Sequence, residues 1–300
     1  MTSLHWTLPL PAGYRRGDVL AFHGRDAEGV AEQVTPDSLR KGILQGGVPV
    51  LLTVALTDLQ AACRADIDGE AGDGMQEALH GILLNILGLR IAPEPFALLA
   101  AGDPLLGPLV RAHGGLRIVQ SATPFEALSW AIIGQQINLP FAISLRRTFI
   151  LQAGVQHSSG LWCYPEARDV ARLDIGSLTG RKFSRAKAET LLRLARLVDD
   201  GELALELPAS GEVTTVSQAL LAVKGIGPWT VNYALLRGYG YADCSLHGDV
   251  AIRAALQKLL GEDSKPDMAR TEQWLRQYAP HRTMAAAHLW ASLQAPASNG

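Results

Sequence analysis

Gly225-Ile226-Gly227, set between two apolar helical segments, constrains this chain more than any other feature. Leu220, Leu221 and Val223 close the first segment. Trp229, Val231, Ala234 and Leu235 then recur at helical spacing. Glycines one residue apart allow a tight turn with positive φ and the close approach of another chain. Pro228 suits a first helical turn, where its missing N–H costs nothing. The stretch therefore predicts a helix, a turn and a second helix whose free N–H groups form an anion site that a phosphate would fit. Such a turn can also be a plain helix–helix connection. Trp229 and Tyr233, four apart and so on one face, sharpen the reading. Residues 239–243 (YGYAD) break the second helix, and Asp249 stands where a new apolar-periodic segment opens at Val250. That position suits a helix N-cap as well as a carboxylate with chemistry of its own.

The chain has 300 residues, 48% of them hydrophobic and 19% charged, enough to bury a large core and too apolar for a disordered protein. Cys63, Cys163 and Cys244 are scattered, which suits a reducing cytosol and argues against a disulfide framework. The histidines form no ligand pair with cysteines or carboxylates at metal spacing, so no catalytic metal is expected. The first 20 residues lack a continuous apolar signal region, and the best apolar run, 48–56, is too short to span a bilayer. A net charge of −2 speaks against a nucleic-acid partner, but it is unevenly spread. Residues 1–110 carry 7 Lys/Arg against 13 Asp/Glu, whereas 111–300 carry 20 against 16. The basic part is the one that holds the glycine turn.

Leu4, Trp6 and Leu8 alternate with polar residues as a half-buried strand does, and 48–56 reads as another strand after the Gly46-Gly47 turn. Apolar residues at 75, 79, 82, 83, 86 and 87 have helical periodicity. Strands with segregated helices predict an α+β unit over 1–110. Beyond it the chain turns helical. Thr123 is placed to cap an apolar-rich stretch over 124–150, and 181–196 combines six basic residues with one acid on a helical pattern. The run reads as a solvated helix face or as one laid beside a polyanion. A loop over 262–267, a last helix over 285–293 with Trp290, and a loose tail at 296–300 complete the reading.

Residues 225–233 spell Gly-Ile-Gly-x-Trp-Thr-x-Asn-Tyr. This string resembles the helix-hairpin-helix DNA glycosylases, most closely their 3-methyladenine DNA glycosylase II, or AlkA-like, branch. Asp249 falls where that family carries its catalytic aspartate. The resemblance implies an α+β N-terminal domain at 1–110, with a TATA-binding-protein-like antiparallel sheet and helices. A mainly α-helical glycosylase region follows at 111–300, its hairpin at 220–235 and its catalytic loop at 239–250. It implies a monofunctional enzyme that flips an alkylated base out of double-stranded DNA and hydrolyses its N-glycosidic bond, leaving an abasic site. The expected form is a cytoplasmic, nucleoid-associated monomer without membrane contact. A hairpin protein that binds DNA without catalysis, and a glycosylase for deaminated or oxidised bases, are the alternatives.

By the same resemblance, Trp229, Tyr233 and Trp290 line the base pocket and Phe22 closes it from the N-terminal side. Gly225, Gly227, Lys224 and Thr230 meet DNA, and Gln136, in Ile132-Ile133-Gly134-Gln135-Gln136-Ile137, is the wedge that enters where the base leaves. The AlkA-like type has an apolar wedge, so glutamine is a departure; Gln135 and Gln136 would also serve an interhelical break by hydrogen bonding. Lys224 and His247 stand where the family commonly has proline. Trp229 occupies the place of the Schiff-base lysine of glycosylases with lyase activity, which implies that none is present. Main-chain carbonyls of Leu221, Val223 and Ile226 are the expected ligands of a structural Na⁺ or K⁺. Three cysteines exclude the four-cysteine iron–sulfur cluster of some relatives.

Overall fold

The computed structural model describes residues 2–207 and 212–293; the tail expected to be loose at 296–300 lies outside them. The chain opens with β1 (Thr2–Pro9), α1 (Arg16–His23), β2 (Glu32–Val34), β3 (Ser38–Gln45), β4 (Val48–Leu56), β5 (Gln60–Ile67) and α2 (Met75–Ile86). It continues through α3 (Glu94–Ala100), α4 (Leu106–Ala112), α5 (Pro124–Gly134) and α6 (Leu139–Ala153), then a two-residue pair, β6 (Val155–Gln156) and β7 (Trp162–Cys163). Next come α7 (Ala167–Ala171), α8 (Ile175–Thr179), α9 (Arg185–Asp199), α10 (Val213–Ala222) and α11 (Pro228–Gly238). The last elements are α12 (Val250–Leu260), α13 (Met268–Arg276) and α14 (Arg282–Ala291).

The five strands form an antiparallel sheet in the order β1-β5-β4-β3-β2. In β1, Leu8 is buried and Leu4 and Trp6 are partly buried, while residues between them face water, as the alternation predicts. α1 and α2 cover the sheet, and Val19, Leu20, Leu79 and Leu83 share a core with Leu39, Val50, Leu52, Val54 and Ile67. This is the α+β unit expected at the N-terminus. Because β2 pairs only with residues 39–41 of β3, the rest of that edge is open, and residues 162–164 close it. Tyr164 N donates to Gly42 O at 3.1 Å. A Cβ at residue 42 would lie 2.2 Å from the Trp162 carbonyl oxygen, so glycine is required by this approach.

A second core joins the helices, from Phe96, Leu106 and Val110 of α3 and α4 through Leu128, Phe149, Leu191 and Leu235 to Met284 and Leu289. Phe96 through Val110 thus pack with the helices although they precede residue 111. The apolar stretch at 124–150 is two helices, α5 and α6, broken at 135–138. Thr123 caps α5 by accepting from Glu126 N, as its residue type predicts. Between the two cores lies a buried set of charges. Lys41 Nζ sits 2.6 Å from Glu32 Oε1 and 2.8 Å from Glu126 Oε1, and Arg146 reaches Glu32 at 2.8 Å and Glu126 at 3.0 Å. Burial pushes both glutamates upward, but Arg146 and Lys41 hold Glu32 well below the usual carboxylate range and Glu126 below it. No described helix is long and apolar enough to cross a membrane.

Candidate active site

The glycine turn is built largely as its sequence predicts. α10 ends at Ala222, α11 opens with Pro228 in its first turn, and Val223 and Ile226 are buried beneath the connection. The two glycines differ, however. Gly225 has φ +100°, whereas Gly227 has φ −108° and is ordinary extended backbone. A Cβ on Gly225 would stand 2.0 Å from Thr190 Oγ1 of α9, so only this glycine serves both the positive φ and the close approach. Gln135 fastens the turn from the α5–α6 break, donating to Gly225 O at 3.2 Å and Thr230 Oγ1 at 3.0 Å. Arg193 donates to Lys224 O at 3.1 Å, and Lys187 spends its ammonium on Ile133 O at 2.8 Å. The basic run thus braces the hairpin with some of its charges, and its helix begins at Arg185, capped by Ser184.

Asp249 lies at the centre of the constellation. As N-cap of α12 its Oδ1 accepts from Ala251 N at 2.9 Å and Ile252 N at 3.0 Å. The same oxygen accepts from Trp290 Nε1 at 3.2 Å, and Oδ2 accepts from Trp229 Nε1 at 2.9 Å. Asp249 is the helix cap that its position predicts, and the same carboxylate is also held by two indole N–H groups. Four donors orient it, three on Oδ1 and one on Oδ2. Trp229 and Tyr233 are tilted 32° with ring centroids 5.3 Å apart. A base sandwiched between two rings needs about 7 Å, so no base fits between these two.

The loop that delivers Asp249 is pinned at its other end. Asp243 holds Arg282, its Oδ1 2.7 Å from Nε and its Oδ2 2.8 Å from Nη2, and Thr283 Oγ1 donates to Tyr241 O at 2.9 Å. Asp243 is therefore a structural clamp on the start of α14, the helix that carries Trp290. His247 Nδ1 meets Ser245 Oγ at 2.9 Å.

Comparison with known proteins places this geometry. The chain is 26% identical over 292 residues to "DNA-3-methyladenine glycosylase 2" of Escherichia coli, covering 97% of this chain and 96% of that protein. It is 32% identical over 199 residues to "DNA-3-methyladenine glycosylase" of Bacillus subtilis, an alignment of 65% of this chain and 66% of the relative. The chain thus spans just under two thirds of the Bacillus protein's length. A solved structure of 3-methyladenine DNA glycosylase from Archaeoglobus fulgidus has the same fold, with TM-score 0.78, 20% identity, and 95% and 97% of the two chains covered. No family model matches. The chain is similar to DNA-3-methyladenine glycosylases, the AlkA-like branch of the helix-hairpin-helix superfamily that its 225–233 string resembles.

Within that superfamily's frame, the site residues fall into three groups. Asp249, Trp229, Tyr233 and Trp290 are brought together directly. Phe22 joins through two arginines: the Arg237 guanidinium lies 4.9 Å from the Phe22 ring centre and 5.9 Å from that of Trp290. Gln136 and Lys224 are exposed at the surface near the turn. Gln136 has φ +55°, a backbone region uncommon for a side-chain-bearing residue. Thr230 departs from its expected place. Its side chain is 2% exposed and engaged by Gln135, because it faces the α5–α6 break. The residue as a whole is buried, so its hydroxyl is not free for a phosphate.

Three neighbours of the candidate site escaped the sequence reading: Trp130, Arg25 and Arg237. Trp130 Nε1 donates to Tyr233 Oη at 2.9 Å. The Arg25 guanidinium is stacked between Phe22, 4.2 Å from the ring centre, and Trp130, 4.5 Å away. Arg237 follows Tyr233 by four residues as Tyr233 follows Trp229, so a helical face of 229, 233 and 237 was a usable signal. Arg25, beyond the end of α1, had none.

Proposed function

We propose that this protein is a monofunctional DNA glycosylase of base excision repair that hydrolyses the N-glycosidic bond of alkylated bases of the 3-methyladenine and 7-methylguanine type. The observation that carries the reading is the Asp249 carboxylate, fixed by two indole N–H groups at the mouth of a helix and beside a hairpin suited to phosphate. A clamp for DNA alone needs neither the carboxylate nor its tryptophans.

DNA phosphates sit on the N–H groups that open α11, with Lys224 adding charge. The base is flipped from the duplex, and Gln136 fills the space it leaves. Trp229, Tyr233 and Trp290 face it. Bond cleavage builds positive charge on the deoxyribose, and the oriented Asp249 carboxylate opposes it in a site shielded from water. Three of the four hydrogen bonds to Asp249 converge on Oδ1, so its charge is held for electrostatic stabilisation, while Oδ2, with one donor, keeps a lone pair that can orient the attacking water. Trp229, standing where a lyase would have lysine, leaves no Schiff-base step and the product is an abasic site.

A Na⁺ or K⁺ at the hairpin fits the chemistry of the donors. The Leu221 carbonyl lies in the last turn of α10, where intrahelical partners run out, and Val223 O accepts only the Ile226 N–H at 3.0 Å. Leu221, Val223 and Ile226 would hold the ion, which would stiffen the turn.

The test is base release from methylated duplex DNA by wild type and Asp249→Asn, with DNA binding measured for both. A fall of about 10³-fold in release, near 4 kcal/mol, is expected with binding retained. Binding without release by the wild type would sink the enzyme reading.

A further inference from the structure

The break between α5 and α6 covers residues 135–138, and three of these side chains are committed. Gln135 ends α5 and directs its amide N–H groups at the hairpin, to Gly225 O at 3.2 Å and Thr230 Oγ1 at 3.0 Å. Because Gly225 O can only accept, the end of the amide that faces it is the nitrogen. Ile137 packs against the helical core. Asn138 caps α6, accepting from Phe141 N at 3.0 Å. Gln136 is left over. It is exposed, its φ is +55°, and its side chain bonds to no described residue.

The two acceptors of Gln135 bracket the start of α11. Gly225 lies in the turn before that helix, and Thr230 lies in its first turn. α9 touches the same parts: Lys187 Nζ donates to Ile133 O at 2.8 Å, and Thr190 fills the space over Gly225. Gln135 bonds the hairpin directly to the residue beside Gln136. Rotation of the backbone at 135–136 would pull its amide away from both acceptors. The direction in which Gln136 projects is therefore set relative to the N–H groups that open α11. We propose that Gln135 is a positioning residue that couples the seating of a DNA phosphate on the hairpin to the entry of Gln136 into the base stack. The inference rests on the glycosylase reading, in which Gln136 is the wedge, and adds how that wedge is aimed.

The energetics favour such a tie. A phosphate held at the start of α11 fixes the strand relative to the hairpin, while flipping a base costs unstacking that the wedge must offset. A loop free to rotate at 135–136 would be ordered only as it inserts, and that ordering opposes flipping. Two hydrogen bonds order it before DNA arrives. Losing them should weaken flipping and leave phosphate binding nearly unchanged.

The test separates the two events. Flipping is read by the fluorescence of 2-aminopurine placed beside 7-methylguanine on a 2′-fluoro sugar, which slows loss of the base. Phosphate seating is read by the dissociation constant for undamaged duplex. Gln135→Met should lower the flipping equilibrium about tenfold, the worth of two neutral hydrogen bonds, and change the dissociation constant by less than about twofold. Thr230→Val removes one acceptor from the hairpin side while keeping its shape; it should lose severalfold in flipping, and little more when combined with Gln135→Met. In a Gln136→Ala background, Gln135→Met should make no further difference, since no wedge remains to aim. An equal loss in both backgrounds would mean a residue that only supports the fold, and duplex binding that weakens in step with flipping would mean one that only shapes the hairpin. Either result would overturn the proposal, as would unchanged flipping in Gln135→Met or in Gln136→Ala. Base release is measured separately on the unfluorinated duplex, where flipping without release would overturn the glycosylase reading and leave the coupling in place. A wild type that raises no fluorescence would overturn both.

Discussion

Two groups of buried charge lie side by side in this molecule and are treated in opposite ways. In one, Lys41 and Arg146 face Glu32 and Glu126, equal in number and bonded at 2.6 to 3.0 Å. In the other, Arg25 and Arg237 lie against aromatic faces and form no ion pair with a carboxylate among the described residues. The first group joins the sheet to the helices, since Glu32 and Lys41 belong to β2 and β3 while Glu126 and Arg146 belong to α5 and α6. In the second, Arg237 lies 5.9 Å from the ring centre of Trp290, which donates to Asp249. Balanced, bonded charge is what a fold needs to hold two layers in register.

The largest effect should come from breaking the balanced group. Glu126→Ala leaves Lys41 short of a partner in the interior and is expected to lower unfolding free energy by about 3–5 kcal/mol, measured by denaturant titration. A loss under 1 kcal/mol would mean that the cluster does not join the layers. A third arrangement, in which charge is avoided altogether, predicts the next effect. His288 stacks on His113 at 5.7 Å and on Phe96 at 5.6 Å, with Arg15 nearby. Burial first, then His113 and Arg15, lower its pKa to about 4. The folded protein thus binds fewer protons than the unfolded chain below pH 6.5. Its contribution is whole above that pH and is lost as pH falls toward 4, by up to about 3 kcal/mol. Glu32 and Glu126 lose theirs only at lower pH, through their depressed values. His288→Phe should therefore flatten the stability profile between pH 6.5 and 4.5, and a profile as steep as wild type would reassign the slope. The smallest effect sharpens the comparison most. Arg25→Met should raise stability by about 1 kcal/mol, because it removes a charge with no partner. A marked loss in thermal unfolding would show that the fold itself depends on that guanidinium.

What the sequence disclosed follows from how local each signal is. Strand alternation in β1, the run of β4, the caps at Thr123 and Asp249, and Pro228 opening α11 all depend on neighbours a few residues away, and the structure contains each of them. The Gly225–Tyr233 string carried the family because it is contiguous. The break between α5 and α6 was less visible, since both sides are apolar and only the glutamines and Pro140 interrupt the pattern. α13 was missed because its surface is largely polar. Within the site, spacing alone disclosed Trp229, Tyr233 and Asp249. Nothing in sequence joins Arg25 to Trp130, 105 positions later, or shows that Asp26 and Glu32 are already committed elsewhere. The burial of Thr230 was hidden for the same reason: the Gln135 that claims it comes from another helix.

The turn at Gly225 also bears on how this chain can change over time. Its φ and its distance from Thr190 are independent obstacles to any side chain at 225. Trimming Thr190 would clear the space and leave the backbone angle unfavourable. Relaxing the angle would leave the collision. Neither step improves matters alone, so mutational drift reaches no alternative turn through single neutral substitutions, and the hairpin is kept by the inaccessibility of its neighbours in sequence space as much as by any duty to a phosphate.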